Sequence, residues 1–250
     1  MQHVTAFSGH YHEPFVGGGA VFLALYEAER LAYGTSVLND ANAELINAYA
    51  VVRTKTSLLV SGLQEIKHSK ETYYRIRETE PRSSLERAVR FIYLNKSCFN
   101  GLYRVNSKGK FNVPIGSYKN PTLVEPEVMQ VWSEALKGVE LYSEDFEKRL
   151  SAVKRGDFVY ADPPYLPRSK TANFTSYTAL KFDEKDHERL AQSLVDVHKR
   201  GAKFLCSQGD SDTIRQLYRG FTIVPVTVRH SVGAKASSRG GVSELLIKNY

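Results

Sequence analysis

The stretch HYHEPFVGGGAVF, residues 10–22, joins a short strand to an apolar helix through three consecutive glycines. Glycines let the backbone approach a ligand closely, and the first turn of the following helix leaves N–H groups available to it. A second strand, residues 36–39, ends at Asp40. This acid lies about 20 residues beyond the turn, where a carboxylate can accept both ribose hydroxyls of a nucleoside. Turn and acid together predict a nucleoside cofactor, whereas the turn alone would also fit an ordinary loop.

Strands and helices alternate on both sides of a central segment, which predicts an α/β fold with a mostly parallel, Rossmann-like sheet. The predicted strands cover about residues 10–15, 36–39, 139–142, 158–161, 202–207, 222–228 and 244–248. Helices are predicted over about 20–33, 43–53 and 125–136, and another begins after Asp183 and ends at Gly201. The alternation is interrupted between residues 55 and 135.

The interrupting segment reads as consecutive helices followed by NGLYRVNSKGKFNVPIGSYKNP, residues 100–121. Within it, YRVN and KFNV flank SKG, which predicts a β-hairpin. The window 87–124 contains seven Lys or Arg and no Asp or Glu, which matches the formal net charge of +7. A basic hairpin favours a nucleic-acid partner, with a solvated basic surface as the alternative. A second acid-free stretch contains Arg229, Lys235 and Arg239.

Composition excludes several classes of protein. Hydrophobic residues make up 42% of the chain, enough for a core, but no run of about 18 apolar residues could cross a membrane. Cys98 and Cys206 cannot form a disulfide framework or a cysteine zinc site, and we expect buried, reduced thiols. The seven histidines show no metal-binding spacing, so no metal is predicted. The first residues lack a secretory signal, which favours a cytoplasmic protein.

The stretch DFVYADPPY, residues 157–165, ends a strand at an acid, two prolines and a tyrosine. Such a cluster suits an exocyclic amino group on a base, whose lone pair is delocalised into the ring. Asp162 can accept one N–H and the rigid Pro163 carbonyl the other, which localises the lone pair for attack. Tyr165 offers a flat surface for the base, which must first leave the duplex. The simpler alternative is a rigid turn with a capping acid.

The residues before the glycines narrow the choice of cofactor. The glycines are consecutive instead of following G-x-G-x-x-G, and Glu13 brings a carboxylate to the turn. A negative charge disfavours a pyrophosphate and suits an ammonium or sulfonium group. These residues therefore favour S-adenosylmethionine over NAD.

Together the motifs resemble the Dam-type DNA adenine-N6 methyltransferases of the α group, D12 class. EPFVGGGAVF, LNDAN, YADPPY, TANFTSY and SELLIKNY stand in the family's order, with a recognition insertion before YADPPY. The resemblance implies methyl transfer from S-adenosylmethionine to adenine N6 in double-stranded DNA, within GATC and by base flipping. It also implies a catalytic, S-adenosylmethionine-binding domain at residues 1–54 and 136–250, and a target-recognition domain at 55–135.

The resemblance assigns the site residues to three groups. The catalytic residues are Asp162, Pro163, Pro164 and Tyr165. The cofactor-binding residues are Glu13, Pro14, Phe15, Gly17, Gly19, Asp40, Asp145, Phe146 and Asp162. The DNA-binding residues are Lys96, Phe99, Asn100, Leu102, Arg104, Asn112, Pro114, Tyr118, Lys119 and Asn173. Phe99 is expected to enter the base stack as a wedge, Arg104 to read a guanine, and Pro114 to contact a thymine methyl.

Members of the family usually begin with a W-x-G-G-K-like segment that contributes to the cofactor site, and residues 1–9 do not match it. One alternative is therefore a DNA-binding remnant with a weakened cofactor site. Another is a methyltransferase for RNA or protein glutamine, since an amide nitrogen has the same delocalised lone pair; the basic hairpin argues against a protein substrate. The resemblance further implies a monomer at the bacterial or phage nucleoid, acting in replication-linked mismatch repair, phage defence or restriction-modification.

Overall fold

The computed structural model describes residues 3–32, 34–166, 182–228 and 242–250. These residues form two compact units. The first contains the described residues of Met1–Ala41, Tyr142–Ala172 and Phe182–Tyr250, and the second contains Asn42–Leu141. The predicted insertion at residues 55–135 falls within the second unit, and its role in DNA recognition stays a prediction.

The described residues form seven strands and eight α-helices. The strands are β1 (Tyr11–Glu13), β2 (Ser36–Asn39), β3 (Glu140–Tyr142), β4 (Phe158–Ala161), β5 (Lys203–Gly209), β6 (Thr222–Val228) and β7 (Val242–Lys248). The helices are α1 (Ala20–Glu27), α2 (Ala43–Gln64), α3 (Lys70–Glu78), α4 (Ser84–Ser97), α5 (Pro126–Ala135), α6 (Phe146–Ser151), α7 (Glu184–Lys199) and α8 (Asp212–Leu217). Among these helices, none combines the length and the apolar character that a bilayer crossing requires.

All seven strands belong to one sheet, in the order β3-β2-β1-β4-β5-β7-β6. β1 pairs in parallel with β2 and β4, and β4 pairs in parallel with β5, whereas the β5–β7 and β7–β6 pairs are antiparallel. The sheet is thus mostly parallel, as predicted. Because parallel strands end at the same edge, the segments after β1, β2, β4 and β5 lie side by side. The strand order reverses between β1 and β4, which is where open α/β sheets bind ligands.

The central strands are largely buried on both faces, which explains the continuous apolar sequence of β4, FVYA. Val159 and Ala161 of β4 and Phe204 of β5 pack in one buried cluster with α6, α7 and α8. Burial of these apolar side chains is the main force that holds the helices on this face of the sheet. The strand ends that carry the predicted motifs are therefore fixed by the core beneath them.

Helix α7 agrees closely with its prediction. Leu190, Leu194 and Val197 form the buried stripe that their spacing indicated. The Asp183 side chain accepts the backbone N–H of Asp186, and the Asp186 side chain accepts the N–H of Asp183 in return. This capping box satisfies donors that a helix start leaves unpaired.

Helices α2, α3, α4 and α5 make up most of the second unit. Its buried side chains include Leu59, Leu63, Tyr73 and Tyr93. The Tyr73 hydroxyl donates to the Val113 carbonyl at 2.9 Å. This buried hydrogen bond anchors the segment that contains the predicted hairpin to α3.

The predicted hairpin forms, but with less pairing than two strands would have. Val105 and Phe111 make one isolated antiparallel bridge, and the Asn112 N–H donates to the Arg104 carbonyl at 3.0 Å. The Asn106 side chain accepts two backbone N–H groups of the turn, at 2.9 and 3.1 Å. Side-chain hydrogen bonds of this kind build a tight turn without a long ladder.

The predicted end of the first helix is wrong. α1 ends at Glu27 instead of continuing to about residue 33. Glu29 has a φ of 54°, in the left-handed region that a helix cannot contain. The Arg30 guanidinium then donates to the Val4 carbonyl at 2.9 Å. The left-handed Glu29 thus ends the helix, and Arg30 beyond it binds the N-terminal segment.

The break in the second helix agrees with the predicted helix end. The sequence predicts a helix that ends near Arg53 and further helices after it, and α2 consists of two helical segments that meet at Lys55, whose backbone angles of −141° and 35° are non-helical. Leu59 and Leu63 beyond this kink are fully buried. Packing inside the second unit therefore stabilises the short segment after the kink.

Candidate active site and nucleic-acid interface

The glycine turn after β1 docks on the end of β2. The Val16 N–H donates to the Asn39 carbonyl at 2.9 Å, and the Gly17 N–H donates to the Asp40 carboxylate at 3.1 Å. Gly17 and Gly19 have positive φ values of 46° and 64°, which strain any residue with a side chain. A Cβ added at Gly17 would meet no atom within 4 Å. A hydrogen bond thus joins the glycine turn to Asp40, the predicted ribose acid, and open space lies beside Gly17.

A buried asparagine that the sequence analysis missed connects three strand ends. Asn39, the last residue of β2, donates from Nδ2 to the carbonyls of Pro14 and Glu144 at 3.0 and 3.1 Å. Its Oδ1 accepts the Glu144 N–H at 2.9 Å. Because Pro14 follows β1 and Glu144 follows β3, one carboxamide fixes both loops. The available signal in the sequence was an asparagine directly after the apolar pair Val37-Leu38 of a short strand.

Glu13, at the end of β1, is buried. The Tyr11 hydroxyl donates to its Oε2 at 2.7 Å. Burial raises the pKa of Glu13 to about 8, against the Tyr11 hydrogen bond and together with the negative charge of Asp162. The neutral form is therefore favoured near neutral pH, whereas the choice of cofactor from sequence assumed a carboxylate. A cation bound nearby would favour the charged form and so remove the proton.

The predicted catalytic acid and tyrosine meet a serine from the neighbouring strand. Asp162 follows β4 directly, and the register pairs Ala161 with Cys206 of β5, so Ser207 comes level with Asp162. The Tyr165 hydroxyl lies 2.8 Å from Ser207 Oγ and 3.4 Å from Asp162 Oδ1. A residue outside the D-P-P-Y motif thus holds the Tyr165 hydroxyl, which in turn contacts the Asp162 carboxylate.

The Asp162 carboxyl reaches the surface, yet its pKa is raised. Desolvation by the surrounding protein is the main cause. The Tyr165 hydrogen bond lowers the pKa, the negative charge of Glu244 raises it, and the Ser207 hydrogen bond lowers it. With Glu13, this makes three acid groups around the ends of the central strands. Such a set of acids stabilises a bound cation, as a sulfonium or ammonium ligand would be.

Asp145 and Phe146, predicted to contact the cofactor, also have structural roles. Asp145 caps α6 by accepting the Glu147 N–H at 2.9 Å, and it pairs with Arg189 at 2.8 Å. Phe146 is buried, and its ring centroid lies 5.3 Å from that of Phe15. Both residues follow β3, whose end lies beside the end of β2. The structure therefore brings them to the edge that holds the glycine turn, and their contact with a cofactor stays a prediction.

The two prolines of the motif differ in environment, since Pro163 is buried and Pro164 is exposed. His187 of α7 is fully buried, with its ring perpendicular to that of Phe182 at 4.7 Å. Burial lowers the pKa of His187 to about 4, while Asp186 and the Pro164 carbonyl act in the opposite direction. This histidine is therefore neutral near neutral pH, and the sequence analysis did not select it.

In the second unit, three apolar side chains of the predicted DNA interface are exposed: Phe99 by 48%, Leu102 by 38% and Tyr118 by 47%. The Phe99 N–H donates to the Pro114 carbonyl at 2.9 Å, so the predicted wedge and the predicted thymine contact are neighbours. Asn100 has a φ of 53°, which asparagine tolerates better than most residues. Exposed apolar groups of this size are typical of an interaction surface.

Two predicted DNA-binding residues contact each other. Arg104 Nε donates to Asn112 Oδ1 at 2.6 Å, and an Arg104 terminal nitrogen donates to the Asn112 carbonyl at 3.1 Å. A guanidinium has five N–H donors, and a guanine edge takes two of them. The Asn112 contact therefore orients the guanidinium, and reading of a guanine by Arg104 stays a prediction.

Part of the acid-free window is neutralised by acids from elsewhere in the second unit. Arg87 contacts both carboxylate oxygens of Glu44, and Lys110 lies 2.7 Å from Glu80. The local excess of positive charge is therefore smaller than the sequence window suggested. Lys96 in the last turn of α4 and Lys119 beyond the hairpin are exposed. Asn173, the TANFTSY loop and the stretch with Arg229, Lys235 and Arg239 lie outside the described residues.

Both cysteines are buried free thiols, as predicted. Burial raises the pKa of Cys98 to about 11 and that of Cys206 to about 12. Both therefore stay protonated and unreactive near neutral pH. Across the described ranges, no group of three or more His, Cys, Asp or Glu is arranged to hold a metal ion.

A mostly parallel sheet that brings a glycine turn, a strand-end acid and D-P-P-Y to one edge is the architecture of a Rossmann-like methyltransferase. The chain belongs to the D12 class of N6 adenine-specific DNA methyltransferases, whose family model matches residues 1–232. It is thus an enzyme of the adenine-N6 DNA methyltransferase family, and the family's reaction implies S-adenosylmethionine as methyl donor.

Three relatives cover nearly the whole chain. The chain is 40% identical over 251 residues to Type II methyltransferase M1.LlaDCHI of Lactococcus lactis subsp. cremoris, covering 96% of this chain and 86% of the relative. It is 39% identical over 256 residues to Type II methyltransferase M.MjaIII of Methanocaldococcus jannaschii, covering 96% and 88%. It is 35% identical over 240 residues to DNA adenine methylase of Escherichia coli strain K12, covering 94% and 84%.

Proposed function

We propose that the enzyme methylates N6 of the adenine in duplex GATC after that adenine has left the base stack. The observation that carries the proposal is the cluster of Asp162, Ser207 and Tyr165, on the sheet edge that also holds the glycine turn. S-adenosylmethionine, when bound, supplies an electrophilic methyl group on its sulfonium.

The turn after β1 and the acid after β2 would hold the nucleoside part of the cofactor. The Asp40 carboxylate accepts the Gly17 N–H and has further lone pairs for ribose hydroxyls. The open space beside Gly17 leaves room for a ligand. Glu13 and Asp162 supply the acid groups that a cationic ligand needs, which supports the fit of S-adenosylmethionine to these residues.

Asp162 and Pro163 would act on the adenine amino group. The ionised Asp162 accepts one N6–H and the Pro163 carbonyl accepts the other, so the nitrogen lone pair is no longer shared with the ring. After methylation N6 is positively charged and must lose one proton, and Asp162 is placed to accept that proton. A raised carboxyl pKa suits this role because it brings the pKa of the acceptor closer to neutral pH.

Tyr165 would stack on the flipped adenine, and its hydroxyl is fixed by Ser207 at 2.8 Å. Stacking of a base on an aromatic ring contributes about 1–3 kcal/mol. In the second unit, Phe99 would fill the space that the adenine leaves, and its 48% exposure suits a wedge. Arg104 and Pro114 would read a guanine and a thymine, which supports GATC as the site.

The test offers the protein duplexes that contain GATC or GTAC with S-adenosylmethionine labelled in the methyl group. We expect N6-methyladenine in the GATC duplex alone, detected by mass spectrometry of the nucleosides. A second duplex carries 2-aminopurine in place of the adenine, and its fluorescence should rise on binding because the base is unstacked. Equal methylation of both duplexes would contradict the site, and unchanged fluorescence would contradict base flipping.

A further inference from the structure

We propose that Ser207 is a positioning residue for methyl transfer, whose hydroxyl holds the Tyr165 hydroxyl beside the Asp162 carboxylate and so orients both for the adenine. The inference rests on the proposed function and adds a residue that lies outside the D-P-P-Y motif. It comes from the pairing of β4 with β5, which places residues 45 positions apart in the chain level with each other, as 207 − 162 = 45.

Ser207 is held rigidly where the link requires it. It is a buried residue of β5, within the strand's antiparallel ladder with β7, where it pairs with Leu246. Strand β5 also pairs in parallel with β4 up to Ala161, the residue before Asp162. Because β5 is hydrogen-bonded to a strand on each side, the position of Ser207 is fixed. Its hydroxyl can therefore orient groups that lie beyond the end of β4.

The chemistry of the groups defines the direction of the hydrogen bonds. The Tyr165 hydroxyl donates to the Asp162 carboxylate over 3.4 Å, a long distance for such a pair, and lies 2.8 Å from the Ser207 hydroxyl. Each hydroxyl has one hydrogen. When Tyr165 donates to Asp162, Ser207 therefore donates to Tyr165.

The charges around Asp162 explain why the link matters. The carboxyl of Glu244 raises its pKa, and Asp162 in turn raises the pKa values of Glu13 and Tyr160. The hydrogen bond from Tyr165 and the nearby Ser207 hydroxyl oppose these effects and favour the ionised form. The ionised form is the one that can accept an N6–H from adenine.

The experiment compares Ser207→Ala, Ser207→Thr and Ser193→Ala with the unmodified enzyme. Threonine keeps the hydroxyl and suits a strand. Ser193 is the matched control, since it is buried in α7 and its hydroxyl donates to the Arg189 carbonyl at 2.9 Å. The protein is labelled with ¹³C in the aspartate carboxyls, and the Asp162 signal is assigned from Asp162→Asn.

In Ser207→Ala we expect the Asp162 carboxyl to titrate roughly one pH unit higher, because the Tyr165 hydroxyl loses the partner that holds it against this charged group. Ser207→Thr and Ser193→Ala should titrate as the unmodified enzyme does. The acid limb of the pH–kcat profile should move to higher pH in Ser207→Ala alone. Its kcat should fall roughly tenfold near neutral pH, with KM for DNA unchanged.

Unaltered Asp162 titration in Ser207→Ala would overturn the proposal. So would a fall in kcat that Ser207→Thr shares and that leaves the acid limb in place, which would indicate a packing role only. If the unmodified enzyme transfers no methyl group to adenine, the proposed function fails, and the carboxyl titration still decides whether Ser207 supports Asp162.

Discussion

The Asn39 carboxamide donates to the Pro14 carbonyl at 3.0 Å, which ties the end of β2 to the loop after β1. The same side chain exchanges two hydrogen bonds with the backbone of Glu144 after β3. Gly17 and Asp40, on either side of this link, are joined by their own hydrogen bond. The edge that would hold the cofactor therefore depends on one buried side chain.

Replacing Asn39 with leucine, which has a similar volume, should destabilise the fold and weaken cofactor binding together. Three buried backbone groups, one of Pro14 and two of Glu144, lose their partner, at about 1–3 kcal/mol for each group that stays unsatisfied. Urea denaturation measures the free energy of unfolding, and calorimetry measures the affinity for S-adenosylmethionine.

The control is Asn47→Leu, because Asn47 donates to the Ser84 carbonyl at 3.0 Å within the second unit. This variant should lose about 1 kcal/mol at most and keep its cofactor affinity. Equal cofactor affinity in Asn39→Leu and the unmodified enzyme would show that the link does not shape the site.

Glu13 should make the stability of the protein depend on pH. Burial raises the pKa of Glu13 from 4.5 to about 8. The stabilisation that the neutral carboxyl contributes is thus complete below pH 4.5 and is lost as the pH rises through 8. Between these limits the free energy of unfolding should fall by on the order of a few kcal/mol, and by less in Glu13→Gln.

Glu188→Gln is the control for this measurement, since Glu188 is exposed on α7. Its urea denaturation at several pH values should match that of the unmodified enzyme. If Glu13→Gln also matches, Glu13 does not carry the neutral carboxyl that the structure indicates.

Cofactor binding should release the proton of Glu13. A cationic ligand favours the ionised carboxyl, which the free protein keeps largely protonated near neutral pH. Calorimetric enthalpies of S-adenosylmethionine binding should then differ between phosphate and Tris buffers, which take up a proton with different enthalpies. The difference should vanish in Glu13→Gln. If the binding enthalpies of the unmodified enzyme are equal in both buffers, the positive charge of the cofactor does not lie beside Glu13.

Local sequence patterns predicted the strands that lead to the sheet edge where the cofactor would bind. Strands β2 and β4 have the predicted limits, because each is a short segment with apolar residues at its centre and an acid directly after its end. Asn39 and Ser207 were missed because their roles come from neighbouring strands, and a single sequence does not show the order or register of strands. Helices α6 and α8 have six residues each, too few to show a helical period.

The charge of the insertion also could not be predicted from the sequence alone. The window 87–124 is acid-free, yet Arg87 and Lys110 are neutralised by Glu44 and Glu80, which precede it in the chain. Charge counted along a sequence omits partners that the fold brings in. The hairpin was predicted because its turn is local, and the Asn106 side chain accepts two backbone N–H groups within that turn.

Arg104→Ala should relax the base preference of the enzyme by about 1–3 kcal/mol at one position of the site. Asn112→Ala should relax it less, because it removes only the side-chain oxygen that orients the guanidinium at 2.6 Å. The measurement is methylation of GATC duplexes with single base changes, each compared by kcat/KM.

Lys108→Ala serves as the comparison, since Lys108 is an exposed basic residue in the turn of the same hairpin. If it contacts phosphate, affinity should fall for every sequence, and the salt slope should drop by about 0.9. If Arg104→Ala keeps the base preference of the unmodified enzyme, Arg104 does not read a base.

The most direct test of the central claim is single-turnover methyl transfer by Asp162→Ala, with Asp212→Ala, a change at an exposed residue of α8, as control. We expect the Asp162 variant to lose at least about 10²–10³-fold in rate, since a preorganised acceptor is removed. It should still bind GATC duplexes and S-adenosylmethionine, and the control should keep its rate. An Asp162→Ala enzyme that methylates adenine at nearly the unmodified rate would contradict the account.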